Sequence, residues 1–102
     1  MSFKKILFIF FFIFSSSAVA DDKMALGLDV YNNKAQCGVC HTLQAAGSAG
    51  NIGPDLDQLK LPMSQVIYVV ANGIGVMPAW EGILTNEEIE AVAYYVFNST
   101  NK

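Results

Sequence analysis

Residues 37 to 41 read Cys-Gly-Val-Cys-His and hold both cysteines and the single histidine of a 102-residue chain. Whatever fold forms has to serve the chemistry of those five positions. A structural zinc site needs four ligands in a tetrahedron, and three this close together do not share one metal comfortably. No other Cys or His exists to complete the set. A disulfide-exchange dithiol expects a preceding strand and a βαβ context, and the pattern around the motif is not of that kind. One short structural disulfide would leave His41 without a role.

The first twenty residues read as an address. Lys4 and Lys5 give a positive start, Ile6 to Phe14 is an unbroken apolar run, and Ala18-Val19-Ala20 is a small-residue cleavage site. That run is far shorter than the roughly 20 residues a membrane-spanning helix needs, so a Sec-type signal peptide over residues 1–20, cut after Ala20, is expected. Residues 21–102 then form one domain, exported to the periplasm without stable membrane insertion. Removing the leader takes six of the seven phenylalanines, so the 53% hydrophobic content overstates the core that remains. Small domains usually need a staple, a metal or a cofactor to stay folded.

After cleavage four lysines face nine acids and there is no arginine, for a formal charge of −5. A phosphate backbone demands clustered Lys or Arg, so nucleic acid is excluded as a partner. An acidic surface suits docking to a basic protein patch, with steering that weakens as salt rises.

Three stretches carry helical patterns. From Asp22 to about Ala35 the apolar Met24, Ala25, Leu28 and Tyr31 recur at helical spacing, with Asp21 and Asp22 placed for the amino-terminal dipole. From Pro62 to Ala71, Val66, Ile67, Val69 and Val70 form an apolar face closed by Asn72-Gly73. Thr85 and Glu88 form a capping box ahead of an apolar stripe of Ile89, Val92, Ala93, Val96 and Phe97. A short helical turn at 55–59 is weakly signalled, and Asp55 and Asp57 read as a solvated loop. Nothing alternates with period two for long, so the class is all-α. Two long glycine-rich segments, 42–54 and 74–84, have to wrap around something that supplies the missing contacts.

Cys-x-x-Cys-His is the attachment signature for c-type haem. Two thiols three positions apart on a bent turn each reach one of the two vinyl groups of a haem, and the following imidazole points at its iron. A single covalent haem on Cys37 and Cys40, with His41 as a metal ligand, is therefore expected. For the other face of the iron, Met77 stands apart from Met24 and Met63, which lie on helical stripes. It sits in Gly-Ile-Gly-Val-Met-Pro-Ala-Trp, residues 73–80, where Gly73 and Gly75 permit close backbone approach and Pro78 stiffens the chain. His/Met pairing is an established c-type arrangement, and soft sulfur favours ferrous iron.

The order of helix, CGVCH, Gly-Pro-Asp-Leu at 53–56, the Met77 loop and a last helix with Ala-Tyr-Tyr-Val at 93–96 resembles a small monohaem class I cytochrome c of bacterial type, over nearly all of residues 22–98. The resemblance implies the cytochrome c fold, with three main helices plus short turns wrapped around one covalent haem. It implies thioethers at Cys37 and Cys40, axial ligation by His41 and Met77, and a Pro54 carbonyl that accepts from the His41 ring N–H. It also brings Gly27 and Tyr95 together at a crossing of the terminal helices. Trp80 is either a donor to a haem propionate or a large core residue. Tyr68 and Tyr94 read as packing residues. In many relatives an aromatic lies four residues before the first cysteine, whereas Tyr31 is six before Cys37, which leaves its register open.

With both axial positions filled, the expected function is one-electron carriage between redox proteins in the periplasm, and not enzymatic turnover. Two alternatives are a haem enzyme or gas sensor, which needs an open iron position, and a tightly held dehydrogenase subunit. The stretch from CGVCHTLQAAG to GIGVMPAW is similar to small haem proteins that accept electrons from periplasmic sulfite dehydrogenases.

Overall fold

The computed structural model describes residues 15–102. Its helices are α1 (Ser15–Asp29), α2 (Leu56–Leu59), α3 (Met63–Asn72) and α4 (Asn86–Thr100). The strands β1 (Thr42–Leu43) and β2 (Ser48–Ala49) add one short antiparallel hairpin, with Thr42 opposite Ala49. The expected all-α fold is observed, with three main helices and turns between them. The apolar run of the expected leader lies outside the described residues. Because the described part of α1 already runs from Ser15, Asp21 and Asp22 stand within the helix; they meet an amino-terminal dipole only in a chain cut after Ala20. Among the described residues no helix is long and apolar enough to cross a membrane.

α4 is the spine. Thr85 Oγ1 accepts from the Glu88 N–H at 3.1 Å while Glu88 Oε1 accepts from the Thr85 N–H at 2.9 Å, so two otherwise orphaned donors are satisfied at the first turn. Its face of Ile89, Val92, Ala93, Tyr95 and Val96 is buried. α1 crosses that face at Gly27, where an added Cβ would stand 2.2 Å from the Ala91 carbonyl oxygen and 2.5 Å from Tyr95 Cβ. The missing side chain lets the two backbones touch, as the family resemblance implies.

This crossing rotates α1 away from the stripe expected from spacing. Gly27, Val30 and Tyr31 are buried and Met24 and Leu26 pack partly on the core, whereas Ala25 and Leu28 face outward. Val30 to Lys34 then form a π-helical turn closed by Ala35 N–H to the Val30 carbonyl at 2.8 Å. A π turn absorbs extra residues without turning the face it carries. Tyr31 thus stays fully buried despite its longer distance from Cys37. Gln36 reverses the chain in the left-handed region at φ 51°, a conformation a non-glycine residue adopts rarely.

α3 begins one residue after Pro62 and ends at Gly73, whose φ of 72° suits glycine. Although Val66, Ile67, Val69 and Val70 make it the most apolar helix, none of its residues is fully buried. Tyr68, expected to pack, is 67% exposed. α2 is real, and its acids are structural and not merely solvated: Asp55 caps the Asp57 N–H, and Asp57 Oδ2 accepts from the Gln44 N–H at 2.8 Å.

Candidate functional site

A cavity of about 290 Å³ opens between α2, α3, α4 and the 37–41 turn. Cys37 and His41 enter it from the turn, Pro54 from the loop before α2, and Met77 from the loop after α3, against walls that include Val66, Val69, Val70, Val92 and Val96. Three separate stretches of chain thus deliver the side chains singled out by sequence to one apolar space. Cys40 lies on the same turn but does not line the cavity.

The turn is built by backbone bonds. The Cys37 carbonyl accepts from the His41 N–H at 3.0 Å and from the Cys40 N–H at 3.2 Å, which curls the five residues into a single bend. The loop that follows folds back on it: the Gly50 N–H donates to the His41 carbonyl at 3.2 Å and the Gly53 N–H to the Cys40 carbonyl at 2.7 Å. A Cβ at Gly53 would lie 2.6 Å from His41 Cε1, so the imidazole rests directly on a bare backbone. His41 Nδ1 is 2.8 Å from the Pro54 carbonyl. A carbonyl only accepts, so Nδ1 carries the proton and Nε2 is left with its lone pair available for a metal.

The Met77 loop has its own logic. Ile74 and Met77 exchange backbone bonds at 3.1 and 2.9 Å around Gly75-Val76, a tight two-residue reversal with Gly75 at φ 57°. A Cβ at Gly73 would stand 2.6 Å from the Met77 carbonyl oxygen. The space at Gly73 is therefore taken by the loop's own backbone, and Gly75 has nothing within 4 Å, so both glycines serve the shape of the loop that presents Met77. Trp80 packs against the core cluster and is not among the residues lining the cavity.

Sequence reasoning missed Lys60, Gln65 and Thr100, the polar residues at the cavity besides His41 and Tyr31. Lys60 ends α2 at φ 49°, where the chain turns sharply, and no sequence signal marks that position. Burial pushes the Cys37 thiol up to about 11. A disulfide-exchange nucleophile needs the opposite shift, which weighs against the dithiol reading. Among the described residues no three of His, Cys, Asp and Glu come together in a metal-holding group.

A haem fits this donor set. Imidazole and thioether both suit its iron, the thiols are spaced for its vinyl groups, and a flat apolar ring would cover the open valine face of α3. Among solved structures, the c-type cytochrome SorU from Sinorhizobium meliloti is similar at a TM-score of 0.73 and 49% identity, covering 80% of this chain and 95% of that one. Cytochrome c6 of Tetradesmus obliquus is 36% identical over 76% of this chain and 92% of its own length. Chloroplastic cytochrome c6 of Chlamydomonas reinhardtii is 40% identical over 81% of this chain, which spans 58% of that relative. A family profile described as cytochrome C oxidase, cbb3-type, subunit III matches residues 22–96. Fold and site together define a protein of the c-type cytochrome class, with two cysteines consistent with covalent haem attachment. The chain belongs to the cytochrome c family that the profile describes, as a small class I c-type cytochrome whose relatives are electron-transfer proteins and not enzymes.

Proposed function

We propose that Cys37 and Cys40 hold one haem c, that His41 and Met77 ligate its iron, and that the protein carries single electrons between redox proteins of the periplasm. The observation that carries this reading is the convergence of Cys37, His41, Pro54 and Met77 on one apolar cavity. When bound, the haem supplies a one-electron ferrous/ferric couple.

The chain does the rest. Pro54 fixes the His41 ring and raises its basicity by accepting a hydrogen bond from Nδ1–H. Met77, presented on a short closed loop, offers a soft donor that favours ferrous iron and raises the potential. The valine walls keep water from the ring and lower the local dielectric. Because the same side chains face the iron in both oxidation states, little has to move when the charge changes. Trp80 as a propionate donor belongs to the same proposal, and Trp80→Phe, compared with the parent by titration of the reduction potential, tests it.

Exposed apolar side chains near the mouth, Ile74 at 67% and Val76 at 87%, support partner contact there. The acids Asp22, Glu87 and Glu90 gather instead around a separate groove between α1 and α4. Docking then combines apolar contact at the mouth with longer-range attraction to a basic partner. Met77→Ala tests the ligand assignment: the sulfur-ligated low-spin spectrum of the parent disappears and the ferrous-to-ferric ratio at fixed potential falls about tenfold or more. An unchanged spectrum would reject Met77 as the ligand.

A further inference from the structure

Tyr31 is wholly buried in the core cluster and borders the cavity, and it is neither a thiol nor a proposed ligand. Its hydroxyl is 2.8 Å from Ser48 Oγ on β2. Ser48 Oγ also accepts from the Leu43 N–H at 3.0 Å and lies 3.4 Å from the Leu43 carbonyl, to which it donates. A serine has one proton to give and room to accept two. With the Leu43 carbonyl taking that proton, the phenol is the donor to Ser48. Burial, only partly offset by the Ser48 bond, pushes the phenol up to about 12, so it keeps its proton at any working pH.

The other side of Ser48 presses on the haem-attachment turn. A Cβ at Gly38 would be 2.7 Å from Ser48 Cβ and 3.5 Å from Tyr31 Cε1. Two residues on, a Cβ at Gly50 would be 2.6 Å from the Val39 carbonyl oxygen. Thr42 Oγ1 donates to the Gly50 carbonyl at 2.9 Å, and Gly50 and Gly53 bond to the carbonyls of His41 and Cys40. The next residue, Pro54, holds the His41 ring. The segment from Ser48 to Pro54 is thus a strap laid over the turn, pinned at one end by Tyr31 and ending on the imidazole.

We propose that the Tyr31–Ser48 hydrogen bond positions the axial histidine, by seating the strap that carries the Pro54 carbonyl and so setting how strongly the His41 Nδ1–H is held. This rests on the reading of His41 as an iron ligand. A firmly held Nδ1–H makes the imidazole a stronger donor and favours ferric iron. Loosening the strap therefore raises the reduction potential. Tyr31 is a positioning residue, and it has no contact with the iron.

The test uses the haem-loaded protein and three variants: Tyr31→Phe, which keeps the ring; Ser48→Ala; and both together. Expected for each single variant is a rise in the ferrous-to-ferric ratio at fixed applied potential of about threefold, or about 28 mV at 59 mV per tenfold for one electron. The double variant shifts no further than Ser48→Ala alone, which already removes the shared bond together with those to Leu43. If Tyr31→Phe lowers the melting temperature but leaves the potential at the parent value, Tyr31 is an ordinary core residue and the proposal is wrong. If Ser48→Ala shifts the potential and Tyr31→Phe does not, the Leu43 bonds act alone and the proposal is equally wrong. Should the parent carry no histidine-ligated haem spectrum, the ligand reading itself fails, which is a separate and distinguishable result.

Discussion

α4 and α3 are both strongly apolar helices, and they are stabilised in different ways. α4 starts with a complete capping box, crosses α1 backbone to backbone, and has seven buried residues, of which Val92, Val96 and Thr100 also border the cavity. α3 has no side-chain cap and no fully buried residue, and its valines face the cavity. Full burial of each such side chain contributes roughly 1.5–3 kcal/mol, which α3 gains only against a bound ring. The terminal helices are thus a self-sufficient clasp, and α3 with the Met77 loop is a wall whose stability depends on what it encloses.

The largest expected effect breaks that wall. In Cys37→Ala with Cys40→Ala, α3 and the Met77 loop lose amide-exchange protection while α4 keeps a measurable part of its own. Equal loss in both helices would contradict the distinction. Gly27→Val attacks the clasp instead, forcing a side chain onto the Ala91 carbonyl. It costs about 3 kcal/mol, which lowers the melting temperature by roughly 12 °C or more, with little change in potential in the molecules that remain folded. Thr85→Ala removes one arm of the capping box and costs about 1 kcal/mol in urea unfolding, with fraying confined to the start of α4.

The smallest effect is electrostatic. Glu88 also pairs with Lys34, tying α4 to the π-helical turn at the surface. That bond, helped by the Thr85 N–H, holds the Glu88 carboxyl below the usual range, and Glu88 in turn raises Lys34. A lowered carboxyl contributes stability above its unfolded value of roughly 4.3, lost as pH falls through the folded value. A raised lysine contributes below roughly 10.4, lost as pH rises through its folded value. Glu88→Gln should therefore lower stability slightly near neutral pH and flatten both ends of the stability–pH profile. An unchanged profile would show the pair to be inert.

The clasp and the site differ in how legible they were. Local chemistry announced itself: Thr85 and Glu88 gave the cap, and CGVCH with Met77 named the side chains that the fold brings to one cavity. What spacing could not carry was contact made by absence. Gly27 admits α4 because it lacks a side chain, so counting apolar positions put Ala25 and Leu28 inside and they are outside. The π turn that keeps Tyr31 buried depends on tertiary packing, and two-residue strands are too short to leave a pattern. Asp57 looked solvated because its partner, the Gln44 N–H, is thirteen residues away. Lys60 reaches the cavity through a left-handed backbone that no composition rule anticipates.

The central claim is that one haem is bonded to the turn at 37–41. The mass of the exported protein, measured after denaturation and extraction of any loosely held pigment, tests it most directly. A single species heavier than the polypeptide by one haem, reduced to the bare chain when both cysteines are replaced, is the predicted result. A bare-chain mass with two titratable thiols, from cells competent to mature other covalent haem proteins, would contradict it.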